Sequence, residues 1–164
     1  MASVYQPRQV VLVTSRDEAE IMGRKQKKDN IITVAWHTPL SHNPFLYGIA
    51  IGKTRFSRQL IDNSRVFAVN FIGEHLKDAA VKAGTVSGMH TDKFAYCGLT
   101  KKECEKIDAP RIGEACAWIE CEVVEAIETG DHIFYVGRVV NSVAEKNEKR
   151  LFQLGGMAFT TTRE

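Results

Sequence analysis

A chain of 164 residues, 44% apolar and 26% charged, has the length and composition of an ordinary globular protein, and residues 1–164 are expected to form one domain. A net charge of +2 makes no electrostatic case for a nucleic-acid partner. No apolar run approaches the roughly 18 residues of a membrane-crossing helix, and the N-terminus lacks the basic start and apolar core of a secretion signal, so a cytoplasmic protein without a membrane partner is expected.

Val10-Val11-Leu12-Val13-Thr14 reads as a first strand, rich in β-branched residues. A polar loop follows, in which Arg24-Lys25-Gln26-Lys27-Lys28 is expected as solvated charge. Residues 30–37 read as a second strand, and the two prolines of Thr38-Pro39-Leu40-Ser41-His42-Asn43-Pro44 mark a loop. Residues 46–51 supply a third strand. Thr54 is placed to cap a helix running to Asn63, with Phe56, Leu60 and Ile61 at helical spacing. Residues 66–72 form a fourth strand, a short helix is expected near 75–83, and another begins at Thr91, whose hydroxyl is the expected cap. The clearest alternation lies in 115–127, where Ala117, Ile119, Cys121 and Val123 point one way and Glu120 and Glu122 the other, toward water. Thr129-Gly130-Asp131 connects this strand to a partner over 133–140. The tail keeps Leu151-Phe152-Gln153-Leu154 and then Gly155-Gly156-Met157-Ala158-Phe159. Several strands, short helices and no βαβ rhythm predict a mainly β fold, an antiparallel barrel with a few flanking helices.

The four cysteines, Cys97, Cys104, Cys116 and Cys121, form no C-x-x-C pair, and the five histidines show no metal-ligand spacing, so no metal site is expected. Two stretches stand out. Lys53-Thr54-Arg55-Phe56-Ser57 and Ser87-Gly88-Met89-His90-Thr91-Asp92-Lys93-Phe94 each join hydroxyls, a glycine or helix start, and cations, the mixture that holds phosphate. Neither is a Walker loop, and no G-x-G-x-x-G occurs, so a phosphorylated ligand needs another kind of site. The plainer reading of the first stretch is a capped surface helix with solvated cations, and that of Lys93 an exposed ion pair with Asp92. On the second strand Asn30 and Trp36 share parity, as do Thr33 and Ala35, so their side chains cannot all face one ligand. Trp36 is expected to pack in the core at the end of that strand. His132, after the hairpin turn, is placed near a barrel mouth as a hydrogen-bond donor, a proton carrier or a half-buried edge residue.

Taken in order, these segments resemble the flavin reductase-like family of FMN-binding split barrels, including flavoredoxin-type proteins, over residues 10–143. The carriers are 30–36, Leu40-Ser41-His42-Asn43-Pro44, Thr54-Arg55-Phe56-Ser57-Arg58, Phe67-Ala68-Val69-Asn70-Phe71, the segment from Ser87-Gly88 to Asp92-Lys93-Phe94, and the segment from Gly130-Asp131-His132 to Val136-Gly137. The resemblance implies a six-stranded Greek-key barrel that dimerises and holds one FMN per subunit near the interface. It puts the flavin ring against the strand of Asn30, Thr33, Ala35 and Trp36. Lys53, Thr54, Arg55, Phe56 and Ser57, with Ser87, Gly88 and Lys93, take the ribityl chain and phosphate, and Asn70 belongs to the same cofactor-binding set. His132 approaches the flavin edge as the catalytic candidate, and Phe159 covers the ring. By the same resemblance NAD(P)H is the electron donor, and a partner protein, free flavin, a ferric complex or oxygen the acceptor.

A second reading is an FMN-binding electron carrier with no NAD(P)H turnover of its own. A third, a cofactor-free barrel that binds other macromolecules, is disfavoured by the weak basic balance and the lack of interleaved surface aromatics.

Overall fold

The apolar run near the start of the chain lies at the centre of the fold, which is why both of its faces are buried. In the computed structural model, which describes residues 4–163, it opens strand β2 (Val11–Ile21), after a short β1 (Arg8–Gln9). Residues 1–3 and 164, the ends of the expected 1–164 domain, lie outside the described residues. Then follow β3 (Arg24–Val34), β4 (His37–Ser41), β5 (Leu46–Gly52), α1 (Phe56–Ser64) and β6 (Val66–Phe71). A 3₁₀ turn (Glu74–Leu76), α2 (Lys77–Thr85), α3 (Lys93–Cys97), β7 (Lys101–Glu103) and β8 (Pro110–Ile112) lead into the long hairpin β9 (Ala117–Thr129) and β10 (His132–Ala144). The chain closes with β11 (Leu151–Gly155) and β12 (Ala158–Thr161).

The main sheet is antiparallel in the order β3-β2-β6-β9-β10-β5-β4. Six of these strands form the expected barrel wall, and β4 adds an edge to β5. The wall curls back on itself where Ala50 N–H donates to Trp36 O just beyond the end of β3 (3.0 Å). The fold is thus a split barrel with three short flanking helices. Val11, Val13, Val34, Ile49, Ile51, Phe67, Val69 and Tyr135 fill its interior. On the other face of β2 and β3, Leu12 and Ile31 pack with Ile72, Leu76, Ala80, Ala83 and Phe94, burying the helices against the barrel wall.

The structure corrects several expectations. The first strand runs on to Ile21 and the expected basic loop is the opening of β3, joined by the turn at Met22 and Gly23. The polar composition that suggests a loop belongs to an exposed ribbon in which Glu18 faces Lys27 and Glu20 faces Lys25 across the strands. The second strand ends at Val34, before Trp36. The proline-marked loop contains β4, which tolerates Pro39 because it is an edge strand. Glu120 is not on a wet face: it is fully buried under residues 104–109, whose Glu105 and Lys106 N–H groups donate to its carboxylate (3.0 and 2.6 Å), as does Asn141 Nδ2 (3.0 Å). The β9–β10 turn forms as expected, with Gly130 at φ +60°, a backbone conformation that suits glycine.

Candidate ligand groove

A groove runs along the outside of the barrel wall where β3, the start of α1 and the turn after α2 converge. Its deep end is a cavity of about 240 Å³ walled by Asn30 and Thr33 of β3, Thr54, Arg55 and Ser57 at the start of α1, Gly84 in the last turn of α2, Ser87 of the turn that follows, and Lys93 of α3. Thr33 and Arg55 also wall a neighbouring depression of about 190 Å³, which reaches Ala35, Trp36, Gly52 and His132. The two depressions form one path, and no carboxylate lines either of them.

The start of α1 supplies much of the electrostatics. Arg55, not Thr54, occupies the cap position, in an extended conformation, and no side chain caps the helix. Thr54 falls in the preceding turn, one residue too early. No acidic residue lies in the first turn, and the N–H groups of Phe56 and Ser57 bond to no described residue. A bare helix N-terminus carries roughly +0.5 of an elementary charge, and here the exposed Arg55 stands beside it. Arg55 pairs with no carboxylate among the described residues.

Lys93 is the deepest cation. Its side chain is buried (4% exposed), and Nζ donates to Ile31 O (2.7 Å) and Ala83 O (2.8 Å). An ammonium has three N–H donors, so one remains. Burial, with Arg55 adding repulsion, pulls its pKa down to about 8. The expected pairing with Asp92 does not occur: Asp92 caps α3 in place of Thr91, accepting from Ala95 N–H (3.2 Å). Nearby Cys97 is pushed above the ordinary thiol value by burial, against the pull of Lys93.

Asn30 is buried and half satisfied. Its Nδ2 donates to Ser57 Oγ (2.8 Å), while Oδ1 has no partner although solvent cannot reach it. Gly88 packs so closely on that oxygen that a Cβ there would collide with it, so only glycine lets the turn approach. A buried carbonyl oxygen without a donor costs on the order of 1–3 kcal/mol, a defect that a ligand hydroxyl would repair.

Trp36 is not a core residue. It is 43% exposed at the rim, with its indole against the His132 ring (centroids 4.8 Å apart, planes 35° apart) and Tyr5 meeting it edge-on (5.9 Å, 84°). His132 Nδ1 is 2.7 Å from Asp131 Oδ1, and the ring walls the shallow end of the groove.

The other expected site residues are placed less favourably. Thr33 Oγ1 donates to Ala80 O (2.6 Å), so its hydroxyl proton is engaged. The Phe56 side chain packs with Ala19, Ile21 and Leu60, leaving its backbone at the groove. Lys53 is turned away into an ion pair with Glu128. Asn70 lies inside the fold with its amide fully used: Nδ2 donates to Leu12 O (2.9 Å) and Thr14 Oγ1 (3.0 Å), and Oδ1 accepts from Ile112 N–H (2.9 Å). Phe159 sits at the margin of the α2–α3 cluster, under the Lys77 ammonium, and lines neither depression. The sequence reading missed residues 84–86 as a wall; two glycines bracketing three small residues at the end of a helix, Gly84 to Gly88, were the available signal. Among the described residues no cluster of His, Cys, Asp and Glu could hold a metal, all four cysteines are unpaired, and no helix is long and apolar enough to cross a membrane.

The antiparallel split barrel and its cationic, acid-free groove are what the resemblance to the flavin reductase-like family implies, and the comparisons show that family. The flavin reductase like domain matches residues 3–160, and the chain belongs to that family. The crystal structure of an FMN-binding protein from Thermus thermophilus, with bound 1-cyclohex-2-enone, superposes with a TM-score of 0.84 at 27% identity, covering 96% of this chain and 88% of that one. An uncharacterized Archaeoglobus fulgidus protein is 39% identical over 115 residues, 70% of this chain and 65% of its own length. The reductase component of 4-nitrophenol 4-monooxygenase/4-nitrocatechol 2-monooxygenase from Rhodococcus opacus is 30% identical over 112 residues, 68% of this chain and 57% of that protein. The chain thus spans less than two thirds of the length of both curated relatives.

Proposed function

We propose that the groove binds FMN and that the protein is an FMN-dependent oxidoreductase reduced by NAD(P)H. The observation that carries this reading is the pair of uncompensated cations, Lys93 and Arg55, beside the uncapped start of α1 in a groove without a carboxylate. A phosphate would satisfy both charges and the bare N–H groups of Phe56 and Ser57. The Asn30 Oδ1 defect calls for a hydroxyl donor, and a ribityl chain carries several. The groove's chemistry therefore fits FMN.

Bound FMN supplies the redox chemistry, accepting hydride and releasing electrons. The chain's own part is placement and electrostatics. Asn30 and Ser57 hold the middle of the ligand, and Arg55, Lys93 and the Ser87–Gly88 turn hold its anionic end. Trp36 and His132 flank the shallow end, where His132 Nε2 makes no bond to a described residue and serves as a hydrogen-bonding or proton-holding atom. The Rhodococcus relative, by name the reductase component of a monooxygenase, supports an oxygenase as acceptor, while NAD(P)H as donor and free flavin as an alternative acceptor rest on the family resemblance. A homodimer belongs to the same proposal and rests on the family resemblance.

The test is anaerobic spectroscopy of the flavin-free protein after adding FMN and then NADH or NADPH. A bound-flavin spectrum that bleaches with either donor supports the oxidoreductase. Bound flavin that neither donor reduces would leave an electron carrier, and no FMN uptake would remove both readings.

A further inference from the structure

On the far side of Trp36 lies a second cavity, of about 440 Å³, that the flavin reading does not use. Its walls are Tyr5, Trp36 and Phe134, with Arg8 and His37 between them. Tyr5 and Trp36 are 50% and 43% exposed, and their rings stand at 84° to each other, so two large aromatic surfaces open onto the same space. Exposed aromatic walls of this kind are costly in water and form the usual lining of a small-molecule pocket, and the volume lies within the roughly 300–1,000 Å³ of such pockets.

Arg8 gives the cavity its charge. Its guanidinium is fixed by the backbone, Nε donating to Ala35 O (2.8 Å) and Nη2 to His37 O (3.3 Å). Nη1 bonds to no described residue, and no carboxylate among the described residues pairs with Arg8. The neighbouring imidazole adds no countercharge. His37 Nε2 donates to Gln9 O (2.7 Å), so Nδ1 accepts from the Tyr47 hydroxyl (2.7 Å) in the neutral ring. Burial first, with repulsion from Arg8 added, holds that imidazole below its ordinary pKa despite the Gln9 bond.

A fixed, uncompensated guanidinium among aromatic walls selects one kind of ligand. A neutral aromatic would leave the charge unpaired. An inorganic anion would leave the aromatic walls uncovered. A planar ring bearing a carboxylate satisfies both, because the guanidinium fork matches carboxylate geometry and the ring covers the exposed faces. We propose that the cavity bounded by Arg8, Tyr5, Trp36 and Phe134 is a binding site for an aromatic carboxylate, separate from the flavin groove and sharing Trp36 and Ala50 with it as a common wall. This proposal does not depend on flavin binding.

Benzoate is the probe and benzamide its uncharged isostere, titrated into the flavin-free protein while the two indole N–H signals are followed by NMR. Benzoate is expected to shift the Trp36 signal saturably, with the buried Trp118 signal unmoved and the assignment fixed by Trp36→Phe. Benzamide is expected to bind about tenfold more weakly or worse, the loss of one charge-assisted hydrogen-bonded pair. Arg8→Gln should weaken benzoate to the level of benzamide and leave FMN uptake unchanged. Should that variant fold poorly, the benzoate–benzamide difference in the unaltered protein decides by itself. Equal affinity for the two, or no saturable shift, would overturn the proposal. So would a Trp36 signal that ignores benzoate but moves on dilution, the behaviour of a pocket covered by a second copy of the chain.

Discussion

Two buried asparagines, Asn30 and Asn70, differ in how completely their amides are hydrogen-bonded, and the proposed FMN site rests on that difference. Both sit on barrel strands out of reach of solvent. Asn70 spends its amide on three partners from β2 and β8, stitching Leu12, Thr14 and Ile112 together. Asn30 spends half of its amide on Ser57 and leaves Oδ1 without a donor. The same contrast divides the buried charges. Glu120 is met by two backbone N–H groups and Asn141, whereas Lys93 has two carbonyls and no anion. Buried polar groups in proteins are overwhelmingly satisfied, so the incomplete ones gathered around this groove support the proposal that a ligand completes them.

The contrast is sharpened by breaking each side separately. The largest effect is expected at Asn70: Asn70→Ala strands the Ile112 N–H in the core and should cost about 3 kcal/mol by urea unfolding, while FMN affinity of the folded protein stays put. Lys93→Met should do the reverse. Losing the anion's buried partner should weaken FMN binding by about 2 kcal/mol, and the flavin-free protein should hold or gain stability because a buried, unpaired charge has gone. A stability loss at Lys93 as large as that at Asn70 would erase the distinction.

The Lys93 titration gives a smaller, graded effect. In the flavin-free protein its pKa lies at about 8, below the ordinary 10.5, and a bound phosphate favours the protonated form. FMN affinity should therefore be full below pH 8 and fall as pH rises through it, by at most about tenfold per pH unit, with the slope absent in Lys93→Met. Without ligand the sign reverses: the unfolded chain holds the lysine proton more tightly, so this group's contribution to stability rises between pH 8 and 10.5. The smallest effect on folding is expected from His132→Ala, within about 0.5 kcal/mol, since the ring stacks at an open rim. Its mark should be a changed rate of flavin reduction in stopped flow.

Much of the barrel was legible in the sequence because alternation and β-branched runs report burial directly. Val66–Phe71, the turn between β9 and β10 and the passage from strand to helix after Gly52 are cases where local pattern and element agree. The pattern failed where solvent exposure was decided elsewhere in the chain. The β2–β3 ribbon looks like a loop because its exposed face is densely charged and only Ala19 and Ile21 mark its buried one, and Glu120 looks exposed because the loop that buries it lies about fifteen residues upstream. Of the residues that the sequence suggested for the site, the structure brings Asn30, Arg55, Ser57, Gly88 and Lys93 to one groove. Composition could not show that Asn70 is fully engaged in the core, that Lys53 turns to Glu128, or that Trp36 lies on the rim beside His132. Those facts are set by register and by which partner reaches a side chain first.

The most direct measurement is the affinity of the flavin-free protein for FMN against riboflavin, which differ only in the phosphate, in the unaltered chain and in Lys93→Met. The cation groove predicts that FMN binds more tightly by about a hundredfold and that Lys93→Met shrinks this advantage roughly tenfold or more while changing riboflavin affinity little. Equal binding of the two flavins, or a preference for FMN that survives Lys93→Met intact, would contradict it.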